Sequence, residues 1–328
     1  MLIVNSSNIT IIVMRYPIDQ KLVIGVASSA LFDLTESHQI YLTQGIEEYR
    51  NHQEGNIDNP FLKGSAFPFI RRFLAINQAF PEQLPVEVVL LSRNSPETGL
   101  RIFRSIKHYG LDITRAAFMT GRSPHEYIPA FNISLFLSAN ELDVKKAIAA
   151  NYPAGVVLPS FNIYDDELDT ELRVAFDFDG VIADDEAESV YKKHHDLQEF
   201  QAHETEKQSI PHRPGPLANL FKKLASIQKL EEKQLTKSKD YRKIVRIAIV
   251  TARNAPSHER VVTTLKNWGV SADESFFLGG MEKSRILTVL KPHMFFDDQL
   301  SHLQSSAGDI PMVHIPFGIS NNPNQESF

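Results

Sequence analysis

The chain has 328 residues, 42% hydrophobic and 23% charged, with no cysteine and a formal net charge of −6. That is the composition of a globular protein with room for two domains. It excludes disulfides, thiol catalysis and zinc–thiolate sites, and it gives no electrostatic footprint for nucleic acid or an acidic membrane surface. Any anionic ligand must be held by local cations or by a metal.

Residues 1–20 read as an N-terminal extension. Apolar patches run from Leu2 to Val4 and from Ile9 to Met14. They lack a basic n-region, so no secretory signal is expected, and no run of the chain is long enough to cross a bilayer. A start at Met14 would leave the rest intact. The absence of cysteine suits a cytoplasmic protein.

From Lys21 onward, short β-branched or aromatic runs alternate with longer helical patterns. Val86 to Leu91 precedes the helical stretch Glu97 to Tyr109, and Arg246 to Val250 precedes His258 to Trp268. This alternation predicts an α/β fold with parallel sheets flanked by helices. A polar, acidic stretch from Tyr164 to Thr170 reads as a linker. Val174, Ala175 and Phe176 then form a short apolar strand that runs into Asp177, Phe178, Asp179 and Gly180. Gly180 permits a sharp turn, so the two acids sit at the carboxyl end of a strand, where open α/β sheets bind ligands. Carboxylates this close repel unless a cation or proton lies between them.

Residues 187–242 form a charged, helix-rich insertion. His194, His195 and His203 within it read as a solvated helical face, since no zinc-type spacing accompanies them. Three further strand ends follow. Arg246 to Val250 ends in Thr251, Ala252 and Arg253. Phe277 leads through a glycine turn to Lys283. His293 to Phe296 ends in Asp297 and Asp298.

The chain also aligns with itself. Ile24 to Leu31 lies over Val174 to Val181, Gly64 to Phe73 over Gly215 to Leu224, and Leu91 to Pro96 over Thr251 to Pro256. Leu135 to Asn140 lies over Met294 to Gln299, and Val156 to Pro159 over Val313 to Pro316. The first copy has Ala27 and Ser29 at the acid pair, Leu91 for Thr251, Pro124 for Lys283, and Ser138 and Ala139 for the second acid pair. The expectation is two tandem domains of one fold, a chemically degenerate one at 21–160 and a catalytic one at 161–328. Arg93 and Arg122, in strand-end loops of the first copy, are candidates for reaching the substrate.

The order Asp-x-Asp, Thr, Lys, Asp-Asp resembles the haloacid dehalogenase superfamily of phosphotransferases. Val250 to Arg253, Asn267 to Gly269, Phe295 to Gln299 and Gly64 to Phe69 look like the AMP-preferring cytosolic 5'-nucleotidase I family. The likeness runs from about Lys21 to about Gly318. It implies two HAD-like Rossmannoid domains, the second with a helical cap at the insertion, and hydrolysis of nucleoside 5'-monophosphates through an aspartyl-phosphate; the alternatives are a phosphatase for another small phosphometabolite or a catalytically silent nucleotide-binding sensor. Asp177 would be the nucleophile and Asp179 the general acid, then base, with a proton kept by neighbouring carboxylates. Thr251 and Lys283 would hold the phosphoryl group, with Ala252 and Arg253 beside them; Arg253 pairs with Asp297 or with phosphate. Mg²⁺ would sit among Asp177, Asp179, Asp297 and Asp298, because it takes oxygen ligands. The family commonly has glycine between its two aspartates; here Phe178 stands there and is expected beside the substrate. A nucleoside monophosphate is the expected partner, without nucleic acid or membrane, and a homo-oligomer is compatible with the sequence.

Overall fold

The computed structural model describes residues 16–160, 165–194, 196–304 and 309–321. The extension up to residue 15, Tyr164 of the linker, His195 and the side chain of His194 lie outside the described residues.

In the amino-terminal half the strands are β1 (Leu22–Val26), β2 (Val86–Ser92), β3 (Arg115–Phe118), β4 (Ile133–Ser138) and β5 (Ala154–Val157). Its helices are α1 (Ser28–Leu31), α2 (Thr35–Gly55), α3 (Phe67–Ala79), α4 (Pro96–His108) and α5 (Glu141–Ala149). The carboxyl-terminal half has β6 (Leu172–Phe176), β7 (Val245–Thr251), β8 (Glu274–Phe277), β9 (Met294–Asp297) and β10 (Met312–His314). Its helices are α6 (Glu186–His194), α7 (Leu197–Glu206), α8 (Ala218–Lys237), α9 (His258–Trp268), α10 (Lys283–Leu290) and α11 (Leu300–Gln304).

All the strands join one 10-stranded sheet in the order β3-β2-β1-β4-β5-β10-β9-β6-β7-β8. The two halves therefore share one strand order, read outward in opposite directions from the centre. Within each half every pairing is parallel. The halves meet where β5 and β10 pair antiparallel, Val157 with Val313 and Val156 with His314. The carboxyl ends of β1 to β5 thus lie on one edge of the sheet, and those of β6 to β10 on the other.

Central strands are buried throughout, as β1, β2 and β4 show. They read as continuous apolar runs because helices cover both faces of a parallel sheet. One face is a single core across both halves, with Phe73 of α3, Ile102 of α4, Phe221 of α8 and Val261 of α9 packed on strand residues. The other face holds Val144 of α5 over the first half and Leu287 and Leu303 over the second. The helix α8 falls inside the predicted insertion, yet it lies on the sheet: the Phe221 ring meets Phe176 edge-on at 5.6 Å. Its apolar stripe made this packing available, and α6 and α7 are left nearer the strand ends.

Gly64 and Gly215 behave alike. A Cβ on Gly64 would come 2.7 Å from the Ala30 carbonyl oxygen, and one on Gly215 would come 2.1 Å from that of Ala183. Each lets the chain pass close under the turn that follows the first strand of its half. Matching isolated bridges, Phe32 to Lys63 and Ala183 to Pro214, fix those crossings. Ion pairs tie the halves together at one edge. Asp165 accepts from Arg71 Nη2 at 2.8 Å and from Arg72 Nη1 at 2.5 Å. Both arginines lie on α3 and are more than 90 residues away in sequence.

Candidate functional site

The carboxyl edge of β6, β7 and β9 gathers most of the residues singled out above. β6 delivers Asp177, and the wide turn Phe178–Ile182 follows it. One Asp177 oxygen accepts the Phe178 N–H at 2.7 Å. The other meets Lys283 Nζ at 2.7 Å, and Lys283 also donates to Asp297 Oδ2 at 2.7 Å. Lys283 opens α10 and is buried, so its ammonium lies between two carboxylates from two strands. Thr251 ends β7, is buried, and accepts the Arg253 N–H at 3.3 Å. Ala252 is exposed beside it.

Asp297 ends β9. Its Oδ1 accepts the Gln299 N–H at 2.8 Å, and His302 Nδ1 lies 3.2 Å from both oxygens. Asp298, next along, is 1% exposed, and neither of its carboxylate oxygens has a hydrogen-bond partner among the described residues. Its carboxylate packs on Gly180, where a Cβ would come 2.8 Å from Cγ and Oδ2. Glycine is thus required twice over at 180, by this contact and by a φ of +70°.

The electrostatics follow from burial. Burial pushes the Asp177 carboxyl up to about 7, against the pull of Lys283 and with the help of Asp297. Burial works the same way on Asp297, yet Lys283 and His302 hold it below the usual range. Asp298 is raised well above that range, first by burial and then by Glu188, Asp177 and Asp297. Lys283 is raised: burial disfavours its charge, but Asp177 and Asp297 more than offset that.

These residues fit a hard cation. Oxygens of Asp177 and Asp297 and a nitrogen of His302 lie within 4.8 Å of one another. Asp298 adds two unpartnered buried oxygens, and Glu188 Oε2 is unpartnered and buried too. Three buried carboxylates, Asp177, Asp297 and Asp298, against the one ammonium of Lys283 leave negative charge that a divalent ion would neutralise.

Four expectations differ from the geometry. The Asp179 carboxylate does not turn toward the other acids. Arg253 grips it, Nε to Oδ2 at 2.7 Å and Nη2 to Oδ1 at 2.6 Å. Arg253 accordingly pairs with Asp179 rather than Asp297, which Lys283 and His302 already occupy. Phe178 is 0% exposed. Its ring faces His212 at 5.6 Å and the Arg253 guanidinium at 5.3 Å, so it supports Arg253 from the core and does not line open space. Arg93 and Arg122 follow β2 and β3, and the antiparallel junction puts those strand ends on the edge of the sheet opposite Asp177.

Sequence reasoning also passed over several participants. Glu204 on α7 is 1% exposed and bonds Arg253 Nη1 directly. It also accepts from Arg260 Nη1 at 2.7 Å, and His212 Nε2 lies 3.3 Å away. Burial opposes the Glu204 charge, but His212 and Arg253 hold its carboxyl far below the usual range. Burial lowers His212 while Asp184 and Glu204 raise it, with a net rise. His203 is not solvated either: Nδ1 lies 3.1 Å from Glu204 Oε1, and its side chain is 19% exposed. Glu188 on α6 accepts from Gln299 Nε2 at 2.9 Å, which holds it beside the Asp297–Asp298 strand end. In the sequence these acids sit in charged helices, where nothing local separates a buried acid from a solvated one.

A family profile described as 5'-nucleotidase matches residues 14–322. The chain belongs to the 5'-nucleotidase family. Human cytosolic 5'-nucleotidase 1B is 34% identical over 291 residues, covering 86% of this chain. The aligned part is 47% of that protein, so the chain spans about half the length of the curated relative it matches. Among the described residues no helix is long and apolar enough to cross a membrane.

Proposed function

We propose that the chain hydrolyses nucleoside 5'-monophosphates of the AMP type to nucleoside and phosphate, with Asp177 as nucleophile and Mg²⁺ as cofactor. The observation that carries this is the buried Asp177–Lys283–Asp297 cluster, both contacts at 2.7 Å, beside the unpartnered oxygens of Asp298. A phosphate monoester resists attack because it is already anionic, so positioning and charge neutralisation dominate catalysis. Asp177, Asp297 and Asp298 would hold the ion, which supplies charge neutralisation on the phosphoryl oxygens when bound. The side chain of Asp179 stands on Arg253 and not among these ligands; the family resemblance implies its backbone carbonyl in that role.

The steps then belong to the chain. Asp177 Oδ attacks phosphorus, the bond from phosphorus to the ribose oxygen breaks, and Asp179 passes a proton to that oxygen. Water next gives a proton to Asp179 and attacks the aspartyl-phosphate, releasing phosphate. Thr251 and Lys283 bind phosphoryl oxygens, Lys283 exchanging its carboxylate contacts for the substrate. For Asp179 to serve as acid, Arg253 must leave it, and an entering phosphate offers that guanidinium an anion in place of Asp179, beside Glu204. Ala252 would border the substrate.

We also read the chain as a duplicated fold with domains at 21–160 and 161–328. The shared strand order and the paired glycine crossings support this. The cap would be α6 and α7, closing over the site and excluding water. The protein would work in the cytoplasm, as the name of its human relative suggests.

Phosphate release from a panel of monophosphates, with Mg²⁺ or with EDTA, tests the reading. AMP-type substrates should be turned over only with the metal. Asp177→Asn should lower turnover by on the order of 10⁴-fold or more. Full turnover in that variant, or turnover indifferent to EDTA, would remove the mechanism.

A further inference from the structure

The edge of the sheet opposite Asp177 carries a cavity of its own, about 370 Å³ in volume. That size is within the range of small-molecule sites. It opens past the carboxyl ends of β2 and β3, where open α/β sheets take ligands. Arg93 lines it from the loop after β2, Arg122 from the loop after β3, and Lys146 from α5 after β4. His125 and Tyr127 complete the wall, with Glu126 as its one carboxylate.

Two features make this more than a scatter of surface cations. First, Arg93 is fixed in place. Asp143, 2% exposed, accepts from its Nε at 2.8 Å and its Nη2 at 2.5 Å, and Gly121 O lies 3.4 Å from Nη1. Each of its two end nitrogens keeps one further N–H, and the residue lines the cavity. The Arg122 loop is pinned as well, with Gly121 N–H donating to Arg93 O at 2.6 Å and Thr120 N–H to Asn94 O at 3.2 Å. Second, neither Arg122 nor Lys146 has an ion-pair partner among the described residues. Cations from three elements therefore converge on one concave space, Arg93 held there by Asp143 and the charges of Arg122 and Lys146 without an ion-pair partner among the described residues.

We propose that this cavity binds the phosphate group of a small phosphate-bearing metabolite, at a second site distinct from the one at Asp177. Arg93 and Arg122 donate to phosphate oxygens, Lys146 adds a point charge, and Tyr127 offers an aromatic face to the rest of the ligand. The site does not rest on the catalytic reading: the antiparallel pairing of β5 with β10 keeps the two edges apart.

Crystals of the full chain soaked in tungstate, a phosphate mimic, test the location. Calorimetric titration with pyrophosphate in EDTA tests the affinity. An anomalous peak among Arg93, Arg122 and Lys146 is expected, and Arg122→Glu with Lys146→Glu should erase it and weaken pyrophosphate binding at least ~10-fold. The single variant Lys146→Glu, at an exposed position, should weaken binding in the same direction should the double variant fold poorly. No peak in this cavity, or pyrophosphate binding unchanged in the charge-reversed proteins, would overturn the proposal whatever happens at Asp177.

Discussion

Arg253 holds both oxygens of Asp179, with Nε to Oδ2 at 2.7 Å and Nη2 to Oδ1 at 2.6 Å, and its remaining end-nitrogen bonds Glu204 of α7. One buried guanidinium thus joins the second aspartate of the strand-end pair to a helix of the insertion. Burial alone would lower the Arg253 pKa, but Asp179 and Glu204 together raise it, so the cation persists at every relevant pH. Glu204 also holds Arg260. Removing one partner of a buried pair leaves the other charge unanswered, at a cost of about 3–5 kcal/mol. Glu204→Ala should therefore destabilise the protein by that amount in urea unfolding. Glu204→Gln weakens the outer hold on Arg253 and tightens its grip on Asp179. Turnover should fall at least ~10-fold while KM moves little, because the loss is felt in the step where Asp179 carries a proton. A Glu204→Ala protein within 1 kcal/mol of the parent would show that the network is not tightly coupled.

The Asp298 carboxylate lies against Gly180, which has a φ of +70°. Alanine at 180 meets two obstacles: the left-handed backbone costs about 1–2 kcal/mol, and its Cβ would stand 2.8 Å from the Asp298 carboxylate. Asp298 must move. Gly180→Ala should lower the melting temperature and also raise the Mg²⁺ concentration giving half-maximal activity by at least ~10-fold. A stability loss with unchanged metal dependence would separate Asp298 from the ion.

Why some of this was legible in the sequence and some was not comes down to range. Asp177, Thr251 and Asp297 each end an apolar run, and the pattern of the run fixes where its last residue emerges. Lys283 follows from its glycine turn in the same way. The position of Arg93 and Arg122 depends instead on Val157 pairing antiparallel with Val313, a contact across half the chain. No local pattern encodes that direction. Phe178 reads as a neighbour of the substrate because it lies between two site acids, yet the turn rotates its ring into the core. Glu188, Glu204 and His203 lie in helices whose composition is that of a solvated surface; only their tertiary partners distinguish them.

Glu188 should matter to the metal. Its Oε1 is held by Gln299 and lies 3.2 Å from Lys192 Nζ, while Oε2 is buried without a partner. It adds to the field that raises Asp298. Glu188→Gln keeps the shape and removes the charge. Mg²⁺ or Mn²⁺ affinity, measured by calorimetry without substrate, should weaken about 10–100-fold, the usual consequence of losing a group that supports metal ligands. Unchanged affinity would assign Glu188 to holding α6 alone.

The seam between the halves carries a pH dependence of its own. His293 Nδ1 accepts the Arg173 N–H at 3.0 Å, which requires that nitrogen to be unprotonated. Burial first, then Arg72 and Arg173, lower its pKa from 6.5 to about 3. A group depressed in the folded state contributes stability that is complete above its unfolded pKa. That stability is lost as pH falls, because the unfolded chain takes up a proton that the folded one refuses. The window here runs from about pH 6.5 down toward pH 3. Asp177 works in the opposite sense: its carboxyl is raised to about 7, so its contribution is fullest at low pH and is lost as pH rises through 7. The useful quantity is therefore the difference between the parent and His293→Asn, which keeps an acceptor but cannot titrate. Between pH 7 and 4.5, before Asp165, held near 2 against burial by Arg71 and Arg72, begins to protonate, the parent should lose stability relative to the variant. The limiting slope is about 1.4 kcal/mol per pH unit. Parallel curves for the two proteins would mean that His293 is protonated in the folded state and that its bond to Arg173 does not form in solution.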